Sequence, residues 1–171
     1  MSMEYKEDTI REIIWAEYLE SASILDIHRS AIHSNWDNNE YLLTWILNNP
    51  HVDKATILII YWMSGPRYFK QYRNAEECPV FERARFDWFK EIENKYISGY
   101  YKANNIALDP SNDQCGYDWT SEYSEKDIRD EVPAEMYKPL KGIVVEMPDE
   151  FEEGWPLKYA YKFEELLEDV E

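Results

Sequence analysis

The sequence predicts an all-α or mostly α single helical domain with a central apolar helical hairpin, on three observations. Apolar residues recur at helical spacing over 10–27 and again over 81–100. Two strongly apolar stretches, 40–48 and 54–63, are divided by Asn48-Asn49-Pro50, a helix stop. Aromatic residues make up 16% of the chain, and rings this large let a few helices close a core. At most one short strand or hairpin is expected, near the C-terminus.

The elements follow in chain order. Residues 4 to about 33 read as one long helix or a helix pair, with Ile10, Ile13, Ile14, Leu19, Ile24, Leu25 and Ile27 as its apolar positions. Thr9 and Glu12 have the spacing of a capping box, and Glu4 to Asp8 can equally extend the helix backward. Asn35 to Asn39 is a turn by composition that can cap the next helix. Asp53 is the expected N-cap of the second apolar stretch. That stretch reads as a helix apolar on all sides, with a buried strand over Ile57–Tyr61 as the alternative. Pro79 is expected to open a long helix to about Lys102, with Phe81, Ala84, Trp88, Ile92 and Tyr96 on one face, widened by Phe86, Phe89, Tyr96 and Tyr100.

Beyond residue 103 the periodicity fades. Residues 104–123 read as a long ordered loop, followed by a short helix over 124–131 and a turn opened by Pro133. Gly142 to Met147 suits a short strand or an extended arm, and a helix closes the chain near 157–169. One domain over 1–171 is expected: a helical core at 1–103, an acidic loop-rich region at 104–156 and a C-terminal helix at 157–171.

Charge narrows the function classes. The net charge is −17, with 35 acidic and 18 basic side chains. Residues 109–135 hold nine acidic and two basic side chains and 141–171 hold ten and three, against sixteen and twelve over 1–108. Displacing counterions from phosphates takes the opposite sign, so neither nucleic acid nor an anionic membrane is an expected partner. A cationic protein would be steered toward the C-terminal third. Neither a signal peptide nor a membrane span is expected, and Cys78 and Cys115, 37 residues apart, read as free thiols of a cytoplasmic protein.

No known catalytic signature is present. His28, His33 and His51 lack metal-ligand spacing, and Asp109, Asn112, Asp113 and Asp118 lack the spacing of a calcium loop. No catalytic residue, metal or cofactor is therefore predicted. Trp119 beside Asp118, with Tyr117 and Tyr123 near it, is open to two readings: an anchor for a partner's Arg or Lys, or a plug for the loop. Glu150, Glu152 and Glu153 ahead of Trp155 are open to the same two. The predicted partner-binding set is Asp109, Asp113, Asp118, Trp119, Asp127, Asp130, Glu131, Glu150, Glu152 and Glu153.

Residues 34–66 carry a resemblance. Asn35-Trp36-Asp37 ahead of a helix, Trp45-Ile46-Leu47, Asn49-Pro50, Asp53, Ala55-Thr56 and Tyr61-Trp62 together resemble the bacterial domain-of-unknown-function family numbered 4274. Looser similarity extends through Tyr100-Tyr101, Asp109-Pro110 and Val132-Pro133, and stops before the acidic tail after 141. The resemblance implies no activity and no catalytic residue, and under it Trp36, Asp37, Trp45 and Asp53 are packing residues and caps. Small acidic bacterial domains of this kind look like immunity proteins. By that analogy the expected function is neutralisation of a basic, nuclease-like toxin. A carboxylate hydrolase with a divalent metal and a structural or adaptor subunit are the alternatives.

Overall fold

The computed structural model describes residues 3–36, 39–121, 129–147 and 149–168, with side chains from residue 6 onward. Among these residues the chain is mostly helical, with one two-stranded hairpin near the C-terminus. The helices are α1 (Met3–Leu19), α2 (Ile24–His33), α3 (Glu40–Asn48), α4 (Lys54–Met63), α5 (Pro66–Phe69), α6 (Arg83–Ile97) and α7 (Leu157–Glu168). The hairpin pairs β1 (Phe151–Glu152) with β2 (Trp155–Pro156). The chain divides into two compact units, one of Met1–Asn48 with Glu146–Glu171 and one of Asn49–Val145. Both predicted apolar helices are present, α3 in the first unit and α4 in the second.

In the first unit α1 packs on α7, with the Tyr18 ring 5.0 Å from Tyr159 and the Arg11 guanidinium 4.7 Å from the Phe163 ring. Helix α1 begins at Met3, so Thr9 lies inside it and heads no capping box. The capping box is at α2 instead, where Ser23 and Asp26 exchange hydrogen bonds. Trp15 is fully buried against Trp155, ring centroids 5.0 Å apart, and its indole N–H donates to Asn39 Oδ1 at 3.0 Å. The Asn39 amide N–H groups donate to Ser34 Oγ and to the Glu153 carbonyl. One buried Asn ahead of α3 thus ties α1, the end of α2 and the hairpin together. The hairpin turn requires positive φ at both Glu153 (48°) and Gly154 (91°), the geometry of a two-residue primed turn. A Cβ at Gly154 would lie 3.0 Å from the Ser30 carbonyl oxygen.

In the second unit α4 is buried at every position from Ala55 to Trp62, the expected helix with no polar face. Asp53 caps it through Oδ1, which accepts the Ala55 N–H at 3.0 Å. The other oxygen accepts the Asn105 N–H at 2.6 Å, so the cap also holds the start of the long loop. A 3-10 turn at Val80–Glu82 precedes α6, which stops at Ile97, ahead of Gly99 in the left-handed region. Phe86, Phe89, Ile92 and Tyr96 are buried as expected, joined by Glu93, while Phe81, in the 3-10 turn, is 80% exposed and Ala84, in the first turn of α6, faces out.

The stretch 104–121 is the long loop expected, and Ala134–Tyr137 is a 3-10 turn after Pro133. Gly142 to Met147 forms an extended arm that makes one bridge, Ile143 with Ile106. Of the short helix expected over 124–131, residues 124–128 lie outside the described residues, and 129–131 are not helical. Helix α7 matches its expectation, although Tyr161 is 56% exposed.

The arm approaches the loop closely at Gly142, where a Cβ would overlap the Asn105 carbonyl and lie 2.8 Å from the Ile106 carbonyl carbon. Backbone cannot yield as a side-chain tip can, so Gly142→Ala should destabilise the chain by about 1–3 kcal/mol in urea denaturation. An unchanged midpoint would show that the arm is not docked as described.

Candidate functional site

Polar chemistry in the second unit concentrates around Lys70. Phe69 and Lys70 close α5, and the Lys70 side chain enters the core with only 1% exposure. Its ammonium lies 2.8 Å from Glu93 Oε2 and 2.8 Å from Asp130 Oδ2. Glu93, 4% exposed on α6, also accepts from Tyr61 Oη at 2.9 Å and from Lys90 Nζ at 2.9 Å. Lys90 bridges back to Asp130 at 3.1 Å. The Lys70 carbonyl meanwhile accepts the backbone N–H groups of Arg129 and Asp130. Two cations and two carboxylates thus share protons within one ring of contacts, and no charge in it lacks a counter-charge.

The electrostatics follow from that ring. Burial and then the adjacent Glu93 carboxylate push the Tyr61 hydroxyl well above its ordinary pKa, so it stays a donor. Burial alone would raise the Asp130 carboxyl, but its bonds to Lys70 and Lys90 outweigh that and hold it below the ordinary value. Lys90 is raised, burial being overcome by Glu93 and Asp130. This is an arrangement for clamping 129–130 onto α5 and α6, with Lys90 held as a cation.

The loop acids are spent on the loop. Asp109 accepts from the Ser111 N–H and hydroxyl. Asp113 Oδ1 accepts the N–H groups of Cys115 and Tyr117, while Oδ2 accepts the Trp119 indole N–H at 2.8 Å. Asp118 takes the Thr120 N–H and hydroxyl, and these bonds, led by the hydroxyl, lower its pKa. Arg67 donates to the Thr120 carbonyl. Trp119 is half-buried, its ring centroid 4.4 Å from that of Tyr117 in an edge-to-face contact. Glu131 is exposed, and Asp127 lies outside the described residues, as does Asp37.

In the first unit Glu150, Glu152 and Glu153 are exposed around the hairpin. Glu153 pairs with the buried Arg11 at 3.3 Å, while Glu150 and Glu152 meet no cation among the described residues. Two grooves open in this unit. One of about 580 Å³ runs beside α2 and β1 and mixes signs, with Arg29 and Lys158 among Asp26, Glu146 and Glu150. The other, about 490 Å³, is lined by Glu12, Glu40, Tyr41, Thr44, Trp45 and Asn48.

The segment 24–97, which runs from α2 through α6, matches a family model described as Domain of unknown function (DUF4274). This part of the chain is DUF4274-like. The match covers under half of the chain, and includes the 34–66 run that carries the resemblance. No curated protein and no solved structure matches. The DUF4274 segment contains Tyr61, Lys70, Lys90 and Glu93, whereas Asp130 and the hairpin acids fall outside it.

Among the described residues no group of three or more His, Cys, Asp and Glu is placed to hold a metal, and no helix is long and apolar enough to cross a membrane. Cys78 is buried and its thiol is pushed up by that burial; Cys115 is exposed, and both are free. The Lys70–Glu93 pair was absent from the sequence reading. Its signal was Glu93, a charge at helical spacing from Phe86, Phe89 and Tyr96 on an apolar face.

Two outcomes are expected. Lys70→Met leaves a buried carboxylate short of its main cation and should cost about 3–5 kcal/mol in urea denaturation. Asp130 has a folded pKa below its unfolded value, so its contribution is present above about pH 4 and is lost as pH falls through the lower folded value. The stability gap between the native chain and Asp130→Asn should therefore narrow in acid; a gap constant down to pH 2 would contradict the clamp.

Proposed function

We propose that this chain is an acidic protein-binding module of the immunity type, which covers and neutralises a cationic protein partner such as a basic toxin. One observation carries the reading. From 146 to 168, Glu146, Asp149, Glu150, Glu152, Glu153, Glu164, Glu165 and Glu168 are all exposed, and among the described residues only Glu153 is paired with a cation. Lys158 and Lys162 are the basic residues of that stretch, and Lys162 is engaged by Glu17. Unpaired like charges repel one another in the free protein, and a basic partner relieves that repulsion while gaining speed of encounter.

Contact centred on Glu150, Glu152 and Glu153 fits this better than contact centred on Asp113 and Asp118, whose oxygens already close the loop's turns. Asp109 and Asp130 are likewise engaged within the second unit, so the proposed contact is that of the hairpin acids. The bacterial, cytoplasmic setting belongs to the same proposal, and rests on the resemblance and on the charge.

Affinity capture of the tagged chain from its native cell at low salt tests the reading. The native chain should recover a basic protein, and Glu150→Lys/Glu152→Lys should recover it several-fold less well. Equal recovery by the two, with the variant folded, would contradict electrostatic docking at the hairpin.

A further inference from the structure

The groove of about 490 Å³ in the first unit has an unusual make-up. Helix α3 supplies Tyr41 and Trp45 four residues apart, with Glu40, Thr44 and Asn48 beside them, and α1 supplies Glu12. Residues four apart share a helix face, so the two rings form one aromatic wall. Both rings are half-buried, and both carboxylates are exposed. Among the described residues no basic side chain lines this groove, and neither Glu12 nor Glu40 is paired with a cation. The larger groove differs on that point: its Arg29 is already bound to Asp26 and to the Glu146 carbonyl.

We propose that this groove is the receptor for an arginine side chain of the cationic partner. The inference rests on the binding reading above and adds the chemistry of its anchor. A guanidinium is planar, stacks on indole and phenol faces, and offers forked donors to carboxylates. Trp45 and Tyr41 supply the faces, and Glu12 and Glu40 supply the acceptors from two helices. An ammonium would gain the charge but neither the stacking nor the fork, so arginine is selected over lysine. Trp45, expected from the sequence as a packing residue, keeps one side in the groove for this contact.

The test titrates N-acetyl-arginine amide into the full chain and follows the Trp45 indole N–H by NMR, identified with Trp45→Phe. The neutral isostere N-acetyl-citrulline amide and choline are run in parallel. Saturable shifts of the Trp45 signal with the arginine derivative are expected, weakened at least about tenfold in Glu12→Gln/Glu40→Gln and for citrulline. These glutamates are exposed and unpaired, so the double variant keeps the fold even where a Trp45 variant does not. No saturable shift up to roughly tens of millimolar, or equal shifts with citrulline, would overturn the proposal. Equal binding of choline would overturn it in favour of a free organic cation. Capture of the basic partner by Glu12→Gln/Glu40→Gln at the native level would remove the anchor while leaving the wider binding reading in place. Failure of the native chain to capture any basic partner would remove that wider reading.

Discussion

A lysine ammonium at 1% exposure is tolerable only if its whole surroundings are arranged to receive it. Lys70 imposes that arrangement on the second unit. Glu93 has to turn inward from α6, Tyr61 has to present its hydroxyl from α4, and 129–130 has to run past α5. Because α4 is buried on every side, each surrounding element must also seal an apolar face. Tyr61 and Phe69 stack on Phe89, with centroids 5.2 Å apart in each pair, and the Lys70 ammonium lies 5.8 Å from the Phe89 centroid. Apolar packing gives this unit its free energy, and the Lys70 ring restricts which packings are allowed.

The first unit meets the same kind of constraint with neutral groups. Buried Trp15 has a partner for its indole N–H in Asn39, which uses its own N–H groups on Ser34 and Glu153. The turn at Glu153-Gly154 is thereby fixed where its carbonyl can accept. That placement leaves Glu150 and Glu152 exposed, with no described cation beside them. The polar groups that define the core of this unit thus also decide which acids stay in solvent.

Local signals were legible in the sequence. Asn49-Pro50 followed by Asp53 reads as stop and cap because both act within one turn, and α4 forms where the apolar run begins. The single C-terminal hairpin was also expected, although its position was not. GIVVEM has stronger strand composition, but the turn that closes a hairpin is at Glu153-Gly154, where Gly tolerates positive φ. Non-local pairings were not legible. Lys70 and Glu93 are 23 residues apart, and nothing in the residues flanking either one names the other. The start of α6 was misread: a 3-10 turn after Pro79 looks like helix in sequence, so Phe81 and Ala84 were placed on a face where Ile92 and Tyr96 do lie buried. The candidate site was half legible. Acidity of the C-terminal third is plain from composition, but composition does not separate Asp113, committed to Trp119, from Glu150, whose carboxylate meets no described cation.

The central claim is that unpaired carboxylates draw a basic partner to this chain. The association rate of the native chain with its captured partner, measured across ionic strength, tests it most directly. A rate that falls at least about tenfold between low and high salt is the predicted result, since exposed charges more than a Debye length apart are screened. A rate independent of salt would contradict the account and assign recognition to apolar contact instead.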